Sequence, residues 1–210
     1  IENTRLYEQA QQDAETKATL LREVNHRVKN NLTAIIGLLY AERRHAGMEN
    51  QPIYQAILRD LISRVQGLST VHGMLSAAEW TPLKLNELVG RIIRSAIQTL
   101  PRDKEVRIDV SPSPARVTPA QAHHLAMVIN ELATNTVKHT LGKRDVARIT
   151  VHITHEGDMI LLTFQDDGPG YPPQVLTLER HNVGFDLVQR IVRKSLRGEL
   201  ALRNAEGAVT

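Results

Sequence analysis

A chain of 210 residues, 41% of them hydrophobic, is long enough for two small cored units, and an aromatic content of 3% means those cores are built from Leu, Ile, Val and Ala. The lack of cysteine excludes disulfides and thiolate metal sites and is compatible with a reducing, cytoplasmic setting. With 26 basic and 23 acidic residues, no basic–aromatic pattern and no apolar run near the roughly 20 residues that span a bilayer, neither nucleic-acid binding nor direct membrane contact is expected.

Residues 1–48 contain no proline and read as one long helix. Its first part, residues 1–19, is rich in Gln, Glu, Asp and Ala, with sparse apolar positions at Leu6, Ala10 and Ala14. That suits a coiled-coil helix entering from an upstream sensor domain in the same chain. The apolar pattern then strengthens at Leu21, Val24, Val28, Leu32, Ile35 and Leu39. Gly47 to Pro52 signals a turn. A second amphipathic helix follows from Ile53 to about Leu75, carrying Ile57, Leu58, Leu61, Val65, Leu68 and Val71. A two-helix hairpin cannot bury its stripe alone, so residues 20–79 are expected to form a four-helix bundle with a second copy.

Ala77 to Pro82 breaks the pattern and marks the boundary to a second unit, residues 80–210. Here the expected order is a helix at Leu85–Leu100, a strand at Val106–Val110 and a helix opened by the cap Thr118 and Pro119 and running to Lys138. Strands at Ala147–Thr154 and Met159–Gln165 follow, joined by a turn at His155–Asp158, and a last helix runs from Gly184 to Leu196. Antiparallel strands with helices on one side make an α/β sandwich, so the whole is an α+β chain.

On a helical wheel the apolar stripe lies about 120–180° from His26, which therefore points to solvent. An unperturbed imidazole is largely neutral at pH 7 and free to attack phosphorus. Glu23 lies one turn away and is a candidate to take a proton from the other ring nitrogen. Arg22, Lys29 and Asn30 share this face. The histidines His45, His72, His152, His155 and His181 read as surface or turn residues, and the pair His123 and His124 has no second ligand pair at zinc spacing.

On the helix after Pro119, Glu131, Asn135 and Lys138 fall within about 60° of one another. They present a carboxylate, a carboxamide and an ammonium on one edge, with His139 following. Such an edge suits a phosphate and a hard cation such as Mg²⁺; it is equally the pattern of a solvated stripe. Asp166, Gly168 and Gly170 then end a strand. A carboxylate there can accept a hydrogen bond from an exocyclic amine.

The stretch Glu23 to Leu32 resembles the phosphoacceptor box of sensor histidine kinases, in the subclass reading His-Arg-x-Lys-Asn-Asn-Leu. Glu-x-x-x-Asn-x-x-Lys followed by Asp-x-Gly-x-Gly resembles the N box and first glycine box of the ATPase fold shared by histidine kinases, Hsp90-type chaperones, gyrase and MutL. Asn182 to Val188 resembles the second glycine box, with Asn182 where the first glycine is expected. Leu196–Leu200 resembles the turn and strand that follow, and the family usually adds one more strand beyond the position of Thr210.

The resemblance implies that His26 accepts phosphate from ATP, and that the phosphoryl group then passes to an aspartate of a response-regulator receiver domain docked on Arg22, Lys29 and Asn30. It implies adenine recognition by Asp166, a pocket wall at Gly168 and Gly170, Mg²⁺ at Asn135 and phosphate contacts at Lys138 and His139. Gly184 and Phe185 belong to the phosphate loop, and Glu131 stands at the general-base position. The residues leave open a non-catalytic phosphotransfer dimer and an anti-sigma-type serine kinase; a chaperone or topoisomerase would need a transducer domain.

Overall fold

The computed structural model describes residues 2–45, 52–98, 100–101, 103–142, 144–157, 159–176 and 183–210. The side chains of Leu6, Ala10, Ala14, Leu21, Arg22 and His45 lie outside that description, as do Gly47, His181 and Asn182 altogether.

Two helices, α1 (Glu2–His45) and α2 (Pro52–Ala77), pack against each other. Six residues are too few to carry the chain back along α1, so the pair is antiparallel. The apolar stripe of α1 divides. Leu32, Ile36 and Leu39 are half-buried, whereas Val24, Val28, Ile35 and Leu38 are exposed by 54, 36, 43 and 71%. Their spacings of four, seven and three residues place them on one heptad seam of the kind a coiled coil buries. Ile57 and Leu61 on α2 are also exposed, while Leu58 and Ile62 are buried. His26 is exposed and lies about 180–200° around the helix from that free seam.

After α2 the chain reverses through Glu79 and Trp80, both at positive φ (50° and 60°), a costly backbone for residues with a Cβ. Trp80 N–H donates to Leu75 O at 2.8 Å and fixes the reversal. The Trp80 ring lies between His72 (5.5 Å, edge-on) and His123 (6.3 Å, stacked). The surface reading of His72 is thus corrected: it is buried, because the last turns of α2 belong to the same apolar cluster as the second unit, through Val71 and Leu75.

That unit contains β1 (Leu83–Lys84), α3 (Leu85–Ile97), β2 (Glu105–Val110), β3 (Arg116–Val117), α4 (Pro119–His139), β4 (Val146–Glu156) and β5 (Met159–Asp166). Then come α5 (Pro173–Leu176), α6 (Val183–Arg190) with a π-helical turn at Ile191–Ser195, β6 (Arg203–Ala205) and β7 (Gly207–Val209). The main sheet has the order β2-β4-β5-β7-β6. It is mixed rather than antiparallel throughout, because β2 and β4 run parallel, with α4 in the connection between them. The antiparallel β4–β5 ladder extends through Glu156 and Met159, so strand pairing takes in part of the expected turn, and Gly157 lies at φ +62°. Residues 196–200 form no strand. The closing hairpin β6–β7 lies further on, within the chain.

Period-two burial sets the layers. Ala147, Ile149, Val151 and Ile153 face the helices, while Arg148, His152 and Thr154 face away. α3 contributes Leu85, Leu88, Val89, Ile92 and Ile93 to the same core. α4 is started by a capping box in which Gln121 N–H donates to Thr118 Oγ1 and Thr118 N–H donates to Gln121 Oε1, worth about 1 kcal/mol.

Candidate functional site

α4 presents its polar edge between the sheet and α2, and two cavities open along it. One, of about 810 Å³, is lined by Asn135, Lys138, His139, Asp166, Gly170 and Phe185, among others. The other, of about 610 Å³, is lined by Glu131, Asn135, Lys138 and Gly184, and on the α2 side by Arg59, Asp60 and Arg64. Asn135 and Lys138 line both. Gly168 lines neither; it supports Asp166 from behind.

The acidic pair at the end of β5 divides its work. Asp167 turns to Arg144 and to the backbone N–H of Arg148, and ties the strand end. Asp166 faces the larger cavity. Its Oδ2 accepts from Thr136 Oγ1 at 2.9 Å and its Oδ1 from Gly168 N–H at 2.8 Å, which fixes the carboxylate plane and leaves lone pairs for a ligand. A Cβ at Gly168 would lie 2.1 Å from Thr140 Oγ1, so no side chain fits there. Thr140 is buried, lines the same cavity, and its hydroxyl has no hydrogen-bond partner among the described residues. An orphaned hydroxyl beside an anchored carboxylate fits a ligand that offers both donors and acceptors, as a nucleobase does.

The far wall rests on residues the sequence did not single out. Asn204 of β6 accepts from Tyr171 N–H at 2.7 Å and donates to Tyr171 O at 2.9 Å. Gly170, at φ +78°, makes room for it. Tyr171 packs edge-on against Phe185 at 5.8 Å, and burial raises its phenol above the ordinary tyrosine range, partly offset by the bond to Thr210. Thr136 could have been found, since it sits four residues after Leu132 on the buried face. Nothing local marks Asn204.

On the smaller cavity, Glu131 is buried and held by Arg64 of α2. Among the described residues there is no group of three or more His, Cys, Asp or Glu that could hold a metal ion.

His26 stands apart from both cavities, exposed on α1. Glu23, expected to serve it, is instead bonded to Arg27 (Nε to Oε1, 2.7 Å). The side chain in contact with the imidazole is Asn30, whose amide lies 3.3 Å from Nδ1. Lys29 is exposed on the same helix. No described helix is long and apolar enough to cross a membrane.

Residues 23–100 match the family model described as histidine kinase, and residues 120–210 match that of the histidine kinase-, DNA gyrase B-, and HSP90-like ATPase. The sensor histidine kinase PdtaS of Mycobacterium tuberculosis is 28% identical over 192 residues, which cover 90% of this chain and 38% of that protein. A blue-light-activated histidine kinase of Rhizobium johnstonii is 29% identical over 187 residues, covering 86% of this chain and 48% of its own length. The chain therefore spans less than half the length of these relatives. Among solved structures, the histidine kinase domain of the Erythrobacter litoralis EL346 blue-light activated kinase superposes with a TM-score of 0.56 over 89% of this chain and 86% of that one, at 21% identity, a likeness of fold.

Proposed function

This chain is a sensor histidine kinase core, and from that premise we propose that it binds ATP in the larger cavity, phosphorylates His26 and passes the phosphoryl group to an aspartate of a response regulator. The observation that carries the reading is the meeting of Asn135, Lys138 and Asp166 around one cavity of about 810 Å³. Asp166 accepts from the adenine amine and Thr140 completes the base contacts. Lys138 and His139 face the phosphates, with Gly184 and Phe185 at the start of α6. Mg²⁺, when bound by Asn135 and phosphate oxygens, neutralises charge on the transferred group.

The reaction forms a bond from an imidazole nitrogen to the γ-phosphorus, breaks the bond from that phosphorus to the bridging oxygen, and releases ADP with the electron pair. Asn30 holds Nδ1. The structure sets the amide nitrogen, Nδ2, against Nδ1; turning the amide so that its oxygen accepts from Nδ1–H leaves the Nε2 lone pair for attack. Glu131 is the acid–base group on the ATP side, and Glu23 is a second carboxylate one turn from His26.

The exposed seam of Val24, Val28, Ile35 and Leu38 favours a homodimer of hairpins joined as a four-helix bundle. The regulator docks on the opposite face, at Arg22, Lys29 and Asn30. Residues 1–19 connect as a coiled coil to an upstream sensor, residues 20–79 carry dimerisation and the acceptor, and residues 80–210 bind ATP, all in the cytoplasm.

Incubation with γ-labelled ATP tests the proposal. Acid-labile, alkali-stable label that vanishes in His26→Ala is the expected result; label that survives this substitution rejects it.

A further inference from the structure

Arg64 reaches across from α2 and takes both oxygens of Glu131, Nε to Oε1 at 2.7 Å and a terminal nitrogen to Oε2 at 3.2 Å. This is the fork geometry in which guanidinium and carboxylate bind most strongly. The Glu131 side chain keeps 9% of its surface and that of Arg64 keeps 31%, so the pair is largely withdrawn from water and removing one partner strands the other. The bond to Glu131 also raises the Arg64 guanidinium above its ordinary range. Beside it, Ser63 donates to Asn130 Oδ1 at 3.2 Å, and a Cβ at Gly67 would stand 3.2 Å from that oxygen and 3.5 Å from the Asn130 Cβ. Three residues of α2 thus grip two consecutive residues at the head of the proposed phosphate-binding edge.

The grip has a direction. His123 of α4 stacks on Trp80, beyond the end of α2. Asn130 meets Ser63, and Asn135 and Lys138 share a cavity with Arg59 and Asp60. α4 therefore runs antiparallel to α2 and carries its phosphate end toward the start of α2. On the other helix, Tyr40 meets Gln66, whose Nε2 donates to the Tyr40 hydroxyl at 3.1 Å. His26 lies on the Trp80 side of Tyr40, and Asp60 on the opposite side of Gln66. At 1.5 Å per residue the acceptor and the phosphate end are separated along the hairpin on the order of 30 Å. A two-fold axis along the bundle leaves that separation the same toward a second copy. Transfer requires reacting atoms about 3–3.5 Å apart.

We propose that the Arg64–Glu131 pair is an autoinhibitory latch. It parks the ATPase unit on α2 with its phosphate end turned away from His26, and it occupies the carboxylate assigned to acid–base work. The inference rests on the kinase reading above. Autophosphorylation then requires the pair to open, and any input that shifts α1 against α2 can set how often it does.

The chain has no cysteine, so the double substitution Gly67→Cys/Asn130→Cys supplies the single possible intramolecular disulfide. The 3.5 Å from a Cβ at position 67 to the Asn130 Cβ is within the range a disulfide spans. With γ-labelled ATP, oxidation is expected to lower phosphorylation of His26 more than about tenfold relative to the same protein reduced, with binding of a fluorescent ATP analogue retained in both forms. Arg64→Gln is expected to raise the rate by about fivefold or more. Equal rates for the oxidised and reduced double variant overturn the latch, and so does an unchanged or lower rate in Arg64→Gln with nucleotide binding intact. Absence of label in the unaltered chain rejects the kinase reading and the latch with it.

Discussion

The two halves of the molecule solve the burial problem differently. The ATPase unit closes on itself: Ile92, Ile93, Ile149, Val151 and Val188 are inaccessible to solvent. The hairpin leaves Val24, Ile35, Leu38 and Ile57 more than two-fifths exposed. One half is stable through its own long-range contacts; the other keeps an apolar seam open, which the proposed second copy would cover. The difference matches the proposed chemistry. A nucleotide pocket needs fixed walls, whereas an acceptor histidine must stay open to two successive partners.

Four measurements press on that contrast. The largest effect is expected from Gly207→Ala. A Cβ there would fall 1.8 Å from the Asp166 carbonyl oxygen at φ +126°, so β5 and β7 must separate. Destabilisation by more than about 3 kcal/mol in urea melts is expected, together with loss of nucleotide binding. A mild effect would mean that the closed half is less rigid than it looks.

Ile35→Glu tests the open half. It places a charge on the seam without touching the ATPase core, so sedimentation should show monomers while nucleotide affinity is unchanged. A dimer that persists would move the contact elsewhere. Asp166→Asn retains shape but replaces one acceptor oxygen by a donor; nucleotide affinity should fall by about 10- to 100-fold, read by titration of a fluorescent ATP analogue.

The smallest effect concerns the junction of the halves. Burial, followed by the nearby charge of His123, lowers the pKa of His72 below the ordinary imidazole value. The unfolded chain then binds more protons than the folded one as pH falls below about 6.5, so stability decreases through that window and levels off once the folded His72 also titrates. Trp80, the single tryptophan, reports on this junction by fluorescence. Melts at pH 5.5 and 7.5 should differ in that direction, and His72→Gln should flatten the difference.

Much of this protein is written locally. The capping box at Thr118, the spacing of Glu131, Asn135 and Lys138, and the turn after Asp166 each involve residues a few positions apart. Helix and turn geometry alone relates such residues, so the longer helices and strands and several residues that line the cavity, Asn135, Lys138 and Asp166 among them, were legible in order. What the chain alone could not specify lies between distant positions. The parallel pairing of β2 with β4, the burial of His72, the clamp of Asn204 on Tyr171 and the grip of Arg64 on Glu131 all join segments that meet only after packing. Side-chain type and spacing fix what a residue can do within its own helix or strand. Which partner it meets depends on how apolar faces stack, and that was decided only when the sheet and α2 closed over the same core.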